Sequence, residues 1–240
     1  MTAGSDSKLL LYTAKVCPYA ARAELALELA GLDYDVFEVD LMNKPSWYAD
    51  KINAASKVPV LVSTRDNVEF KLPESLVIVE YIHDLSGRIF ASDDAQHRAV
   101  SRYIVQRYEQ LVQPHYYAAA INSQSESVGA LLEGLKQFSA LLGTFDPATR
   151  GGAYIQGGTR FAYADLGVAP FVARILSVSR EGLLPKTDAP AVHEAFASDP
   201  ALARLNEWWS AVQTEPAWNK VWDEAKYLAP FKRRLASLNK

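Results

Sequence analysis

Cys17-Pro18-Tyr19-Ala20 carries the one cysteine of this 240-residue chain. The apolar run Leu9-Leu10-Leu11-Tyr12 before it reads as a buried strand, and Ala21 to Ala30 after it reads as a helix. A thiol at the first turn of a helix meets unpaired N–H groups and the positive end of the helix dipole, and both favour thiolate over thiol. A free thiol has a pKa of about 8.5, and sites of this kind lower it by roughly one to several units. Pro18 suits the first helical position, where its missing N–H costs nothing. A lone cysteine is otherwise a small buried hydrophobe. Its placement between strand and helix favours a nucleophile. With no second cysteine in the chain, no intramolecular disulfide can form, so redox chemistry at Cys17 needs an external thiol. That is a monothiol cycle: attack, a mixed disulfide or thioether cleavage, then release by a small thiol.

The elements that must position this sulfur alternate along the first third of the chain. Lys8 to Tyr12 is a strand, and Pro18 to Ala30 a helix with Ala21, Leu25 and Leu29 on one stripe and Glu24 and Glu28 on another. Gly31 ends that helix. Tyr34 to Val39 alternates at period two and reads as a second strand, and Pro45 to Ile52 as a short helix. Val58 to Val62 and Val68 to Leu72 are two further strands across a polar turn, and Pro73 and Glu74 open a helix to about Leu85. The order β-α-β-α-β-β-α implies a mixed sheet with helices against it. From Asp93 onward the pattern is helical, over Asp94 to Ile121, Glu126 to Leu142, Ala164 to Ser177, Pro200 to Thr214 and Ala217 to Leu238. The polar stretch Ser86 to Ser92 reads as a linker, dividing residues 1–86 from residues 93–240.

Composition narrows the function classes. Net charge is −3, which gives no electrostatic case for nucleic acid. No apolar stretch approaches the roughly 18 residues needed to span a bilayer. Residues 1–8 lack the apolar core of a signal peptide. A single cysteine suits a reducing compartment, so a cytoplasmic protein is expected. His83, His97, His115 and His193 lack metal-ligand spacing, and no metal is expected. Gly151-Gly152 and Gly157-Gly158 are followed by no Gly-Lys-Ser/Thr and read as a loop rather than a phosphate cradle. The basic tail of Lys226, Lys232, Arg233, Arg234 and Lys240 shows no acidic partners in sequence.

Four segments bear a resemblance to one family: Tyr12 to Ala20 around Cys-Pro-Tyr, Asp40 to Tyr48 around Lys44-Pro45, Ala55 to Leu61 around Lys57-Val58-Pro59, and Leu72-Pro73-Glu74-Ser75 before an apolar helix. In order and spacing the chain resembles the glutathione transferase superfamily, its omega class, and is most similar to the fungal omega-like enzymes. The resemblance implies an α/β plus all-α fold: an N-terminal thioredoxin-like domain with a mixed sheet and a C-terminal all-helical domain. It implies Cys17 as the catalytic residue, and Tyr19, Lys44, Lys57, Val58, Pro59, Glu74 and Ser75 as glutathione-binding residues. Within that set, Val58 before a cis Pro59 pairs with the cysteinyl backbone, Glu74 and Ser75 take the γ-glutamyl group, and Lys44 meets the glycyl carboxylate. Tyr12, matching the hydroxyl used by other classes, is set aside in favour of Cys17.

The activity implied is glutathione-dependent thiol transfer or deglutathionylation, including dehydroascorbate or glutathionyl-ketone and quinone reduction. Glutathione is a cosubstrate, with no permanently bound cofactor. The second substrate, an aromatic or phenolic compound, is expected between the domains near Arg107, Tyr108 and Trp222, in a half rich in Tyr103, Tyr116, Tyr117, Tyr154 and Tyr227. A homodimer is implied. The competing reading is a ligandin-type binding protein for polyphenols with little turnover. Tyr163-Ala164-Asp165-Leu166 resembles the family's capped helix start, but Ala162 stands where it places Ser or Thr. One capping hydrogen bond, roughly 1 kcal/mol, is expected to be missing unless Thr159 or water replaces it.

Overall fold

The computed structural model describes residues 8–238, with side chains as far as Arg233. The N-terminal segment before Lys8, the Arg234 side chain and Lys240 lie outside the described residues.

Strands β1 (Lys8–Thr13), β2 (Asp35–Glu38), β3 (Val60–Arg65) and β4 (Val68–Pro73) form one sheet in the order β2-β1-β3-β4. β2 runs parallel to β1, with Val36 beside Leu11. β3 runs antiparallel on the other side, with Leu61 opposite Leu11, and β4 is antiparallel to β3. The parallel pair requires a crossover, which helix α1 (Pro18–Ala30) supplies. Gly31 closes α1 at φ 64°, the left-handed conformation expected of a glycine there. A short α2 (Tyr48–Lys51) precedes β3, and α3 (Ser75–Ser86) follows β4 directly.

One face of the sheet is packed by Tyr12, Val39, Tyr48, Val58, Val60 and Val62, with Phe37 and Trp47 against them. The Tyr12 ring lies 5.2 Å from Phe37 and 5.8 Å from Tyr48, which makes it a core residue of this layer. Helix α1 packs against α3 and β1 and is buried nearly all round. This corrects the two-stripe reading of α1. Glu24 is 3% exposed and accepts hydrogen bonds from Thr13 Oγ1, at 2.5 Å, and from Lys15 Nζ. Arg22 is buried as well, at 1% exposure.

Among the described residues no strand follows β4. The chain forms two compact units, residues 8–90 with Lys220–Asp223, and residues 91–219 with 224–238. The second contains α4 (Ala95–Leu111), α5 (Gln113–Tyr116), a π-helical turn Tyr117–Ile121, α6 (Glu126–Phe145), α7 (Tyr163–Arg180), α8 (Val192–Ser198) and α9 (Ala203–Val212). Near the end of the chain come α10 (Pro216–Val221) and α11 (Glu224–Leu238). The single helix expected over 94–121 breaks after Leu111 because Pro114 has no N–H for the carbonyl of Gln110. The helix expected over 217–238 is likewise two, and the short α8 was not legible as a helix. Lys232 of the basic tail pairs with Glu181 at 2.7 Å, so that residue does have an acidic partner.

Helix α7 is buried along almost its whole length. Its cap is half of a capping box: Asp165 Oδ2 accepts from the Ala162 N–H at 2.9 Å, while the Ala162 side chain has no oxygen to return the bond. Asp165 Oδ1 also accepts from Ile155 N–H and from Trp208 Nε1–H. Among the described residues no helix is long and apolar enough to cross a membrane, and no three His, Cys, Asp or Glu residues could together hold a metal ion.

Candidate functional site in the thioredoxin-like unit

The turn between β1 and α1 presents Cys17. The Cys17 N–H donates to the Ala14 carbonyl at 2.8 Å, and its own carbonyl accepts from Ala21 N–H at 3.2 Å. Cys17 is thus the N-cap of α1, with Pro18 at the first helical position. Its side chain is half-buried, and Sγ lies 3.9 Å from the carbonyl oxygen of Val58. Tyr48, beneath this turn, has its hydroxyl pushed up to about 12 by burial, with Tyr12 and Cys17 adding to it. That hydroxyl stays protonated and donates to the Lys57 carbonyl at 2.9 Å.

The loop before β3 forms the next wall. The Val58–Pro59 peptide is cis. Asn53 Nδ2 also donates to the Lys57 carbonyl, at 3.0 Å, and Asn53 Oδ1 accepts from Ala55 N–H at 3.1 Å. Ser56 sits at φ 52°, and its carbonyl receives Lys44 Nζ at 2.5 Å. The third wall is the β4–α3 junction. Glu74, at φ 72°, turns the chain from strand to helix in one residue, so that Ser75 opens α3. A non-glycine residue held there costs on the order of 1–3 kcal/mol and persists only where the surroundings over-determine it.

These walls enclose one cleft of about 450 Å³, lined by Cys17, Tyr19, Lys44, Lys57, Val58, Pro59, Glu74 and Ser75, together with Leu41, Asn53 and Ser56. The sulfur, two lysines, the start of α3 and the cis-proline edge therefore face one space. Such a set suits an anionic, extended ligand carrying a reactive sulfur. Asn53 and Ser56 were missed by sequence reasoning, since a polar loop gives no chemical signal of its own. Arg22, behind Tyr19 and Ser75, was missed too. Its signal was a cation among alanines, in Ala20-Ala21-Arg22-Ala23.

The aromatic candidates fall elsewhere. Tyr108 is fully buried in the helical unit, edge-on to Phe138 with centroids 5.0 Å apart. The expectation that it lines a ligand pocket gives way to core packing, because α4 buries that face against α6 and α7. Tyr116 and Tyr227 are buried too, their hydroxyls 2.7 Å apart. Arg107 is half-buried on α4 and donates to Gln110 Oε1. Trp222 is half-buried in the segment Lys220–Asp223.

Comparison with known proteins agrees with this geometry. The family "Glutathione S-transferase, N-terminal domain" matches residues 11–88. Glutathione transferase Omega 1C from Trametes versicolor is 33% identical, with a TM-score of 0.83 over 97% of this chain and 98% of that one. Glutathione transferase Omega 2S from the same fungus, solved in complex with 2,4-dihydroxybenzophenone, is 25% identical with a TM-score of 0.81 over 95% of this chain and 99% of that one. Protein IN2-1 homolog B from rice is 27% identical over 70% of this chain, and the match spans 66% of that protein's own length. A near full-length relative at this identity, matched in both the sheet and the helices, leads to one assignment: the chain belongs to the glutathione transferase superfamily, in its omega class.

Proposed function

We propose that the chain is a glutathione-dependent thioltransferase and deglutathionylating reductase with Cys17 as its nucleophile. The observation that carries this reading is the convergence of Cys17 at the N-cap of α1 with Lys44, Lys57, Val58, Pro59, Glu74 and Ser75 around one cleft. In this reading glutathione lies extended along the cis-proline edge. Its γ-glutamyl end meets Glu74 and Ser75, its glycyl carboxylate meets Lys44 and Lys57, and its sulfur faces Cys17.

The N–H groups at the start of α1 favour the Cys17 thiolate. With a mixed disulfide of glutathione, that thiolate attacks the glutathionyl sulfur. The S–S bond breaks, the departing thiolate takes a proton, and a Cys17–glutathione disulfide forms. A second glutathione, giving up its thiol proton, attacks this disulfide; oxidised glutathione leaves and the Cys17 thiolate returns. A carbon-linked adduct follows the same course when a carbonyl or quinone ring can carry the departing carbanion until it is protonated.

The dihydroxybenzophenone complex of the Trametes relative supports an aromatic or phenolic second substrate, and the same observation supports a ligandin-type alternative with little turnover. We also infer a homodimer. Val68 and Phe70 on the edge strand β4 and Val77 on α3 are each at least half exposed, an apolar surface that a second copy would cover. The single cysteine supports a cytoplasmic setting.

The test is turnover of a mixed disulfide of glutathione with a small thiol by wild type and Cys17→Ser. Loss of nearly all activity in the variant, with glutathione binding retained, is expected. Inactivity of both proteins, with a polyphenol bound equally by each, would establish the ligandin reading instead.

A further inference from the structure

We propose that Arg22 is a positioning residue for the cleft, acting through Ser75; the inference rests on the reading that the cleft binds glutathione. Arg22 is 1% exposed and does not itself line the cleft. Its Nη1 lies 3.5 Å from Ser75 Oγ, and its guanidinium carbon lies 5.4 Å from the centroid of the Tyr19 ring. Tyr19 and Ser75 both line the cleft. The cation therefore stands behind the wall and touches two of its members, one from α1 and one from α3.

The chemistry follows from what each group can donate. A guanidinium has N–H donors and no acceptor, whereas a serine hydroxyl can do both. When Arg22 donates to a lone pair of Ser75 Oγ, the Ser75 proton is left to point elsewhere, and the cleft lies there. Ser75 thereby becomes a directed donor, which is what a carboxylate requires, since an ionised carboxylate only accepts. The contact is long for a hydrogen bond. A carboxylate that draws on the Ser75 proton makes the oxygen a better acceptor, and linked bonds strengthen one another. Burial of a cation inside α1, where an apolar residue would pack at less cost, is thus accounted for by the wall it supports.

The test is a double-mutant cycle on glutathione affinity, by calorimetry, with wild type, Ser75→Ala, Arg22→Met and the double variant. Each single variant is expected to weaken binding about tenfold, and the double variant no more than either alone. A purely structural Arg22 would give independent effects, and the double variant would then show the product of the two losses; that result overturns the proposal. An Arg22→Met affinity equal to wild type overturns it as well. Should Arg22→Met not fold, Arg22→Lys keeps the charge but not the planar fork. Its expected loss is about threefold and vanishes in the Ser75→Ala background; a loss that persists there counts against the coupling. A wild type that binds no glutathione removes the functional reading and this inference with it, whereas a wild type that binds without coupling removes the inference alone.

Discussion

The ammonium of Lys44 donates to the backbone carbonyl of Ser56 across 2.5 Å, joining the segment after β2 to the loop before β3 on one wall of the cleft. The cation assigned to the glycyl carboxylate of glutathione is therefore held in place by its own chain. An ammonium has three N–H donors, so one bond to Ser56 leaves donors for a ligand. Lys44→Met is expected to weaken glutathione about tenfold, as loss of a charge-assisted hydrogen bond does. The monoethyl ester of glutathione, esterified at glycine, should bind both proteins nearly alike. Calorimetry with the two ligands checks this, and an equal loss for both would remove Lys44 from that role.

Asp165 sets a pH dependence of folding. Burial pushes its carboxyl up to about 6, against the pull of the Ile155, Trp208 and Ala162 donors. A carboxyl whose folded pKa lies above its ordinary 3.8 binds a proton more tightly in the folded chain. Its contribution is fully present below the unfolded value and is lost as pH rises through the folded one. Stability should therefore fall across about pH 4 to 6 from this group. Asp165→Asn should abolish that slope. It should also cost about 1–3 kcal/mol at pH 7, because an amide NH2 then faces one of three buried N–H donors. Urea unfolding at several pH values is the measurement.

Asp146 acts in a separate window. Burial alone would raise it, but Arg204 and Arg150 hold it below the usual carboxylate range. Its stabilisation is present above the unfolded value of 3.8 and is lost as pH falls through the lower folded value. Arg204→Met should flatten the acid limb of the same unfolding curves below about pH 4 and leave the Asp165 slope intact.

Glu24 braces the turn that carries Cys17. Its carboxylate holds Thr13, fully buried, and Lys15. Glu24→Ala strands the Thr13 hydroxyl without its acceptor and should destabilise the chain by about 1–3 kcal/mol. Glu24→Gln keeps an acceptor for Thr13 and should cost less. Equal midpoints for the two variants in chemical denaturation would show that the Thr13 bond contributes nothing.

The apolar edge at Val68, Phe70 and Val77 bears on assembly. Phe70 is half exposed, its ring tilted against that of Tyr81 with centroids 5.8 Å apart. Phe70→Asp should shift the proposed dimer toward monomer in light scattering after size exclusion, with the circular dichroism of the fold unchanged. A variant that elutes as wild type places the interface elsewhere.

Features decided within a turn or two of chain were legible before any fold was known. Cys17 ahead of Pro18, Gly31 past a helix and the alternating strands depend on backbone conformations that neighbouring residues dictate. The joining of Lys44, Val58-Pro59 and Glu74-Ser75 into one cleft came from resemblance rather than from those local rules. Helix lengths were less legible, because Pro114 breaks one long apolar pattern and α8 is too short to show a period.

By itself the sequence determined a lone cysteine at a helix start and a mixed sheet followed by helices, while resemblance supplied most of the residues that line the cleft. Tertiary structure alone decided which side chains stand behind that cleft and which aromatic residues are buried in the helical core. Arg22 meets Ser75 from another helix, Glu24 turns inward to Thr13, and Tyr108 is sealed in a helical core. The physical reason is that hydrophobic period marks an apolar face without naming what packs on it. A charge on a helix becomes a buried support or a solvated side chain only when a second element arrives to cover it.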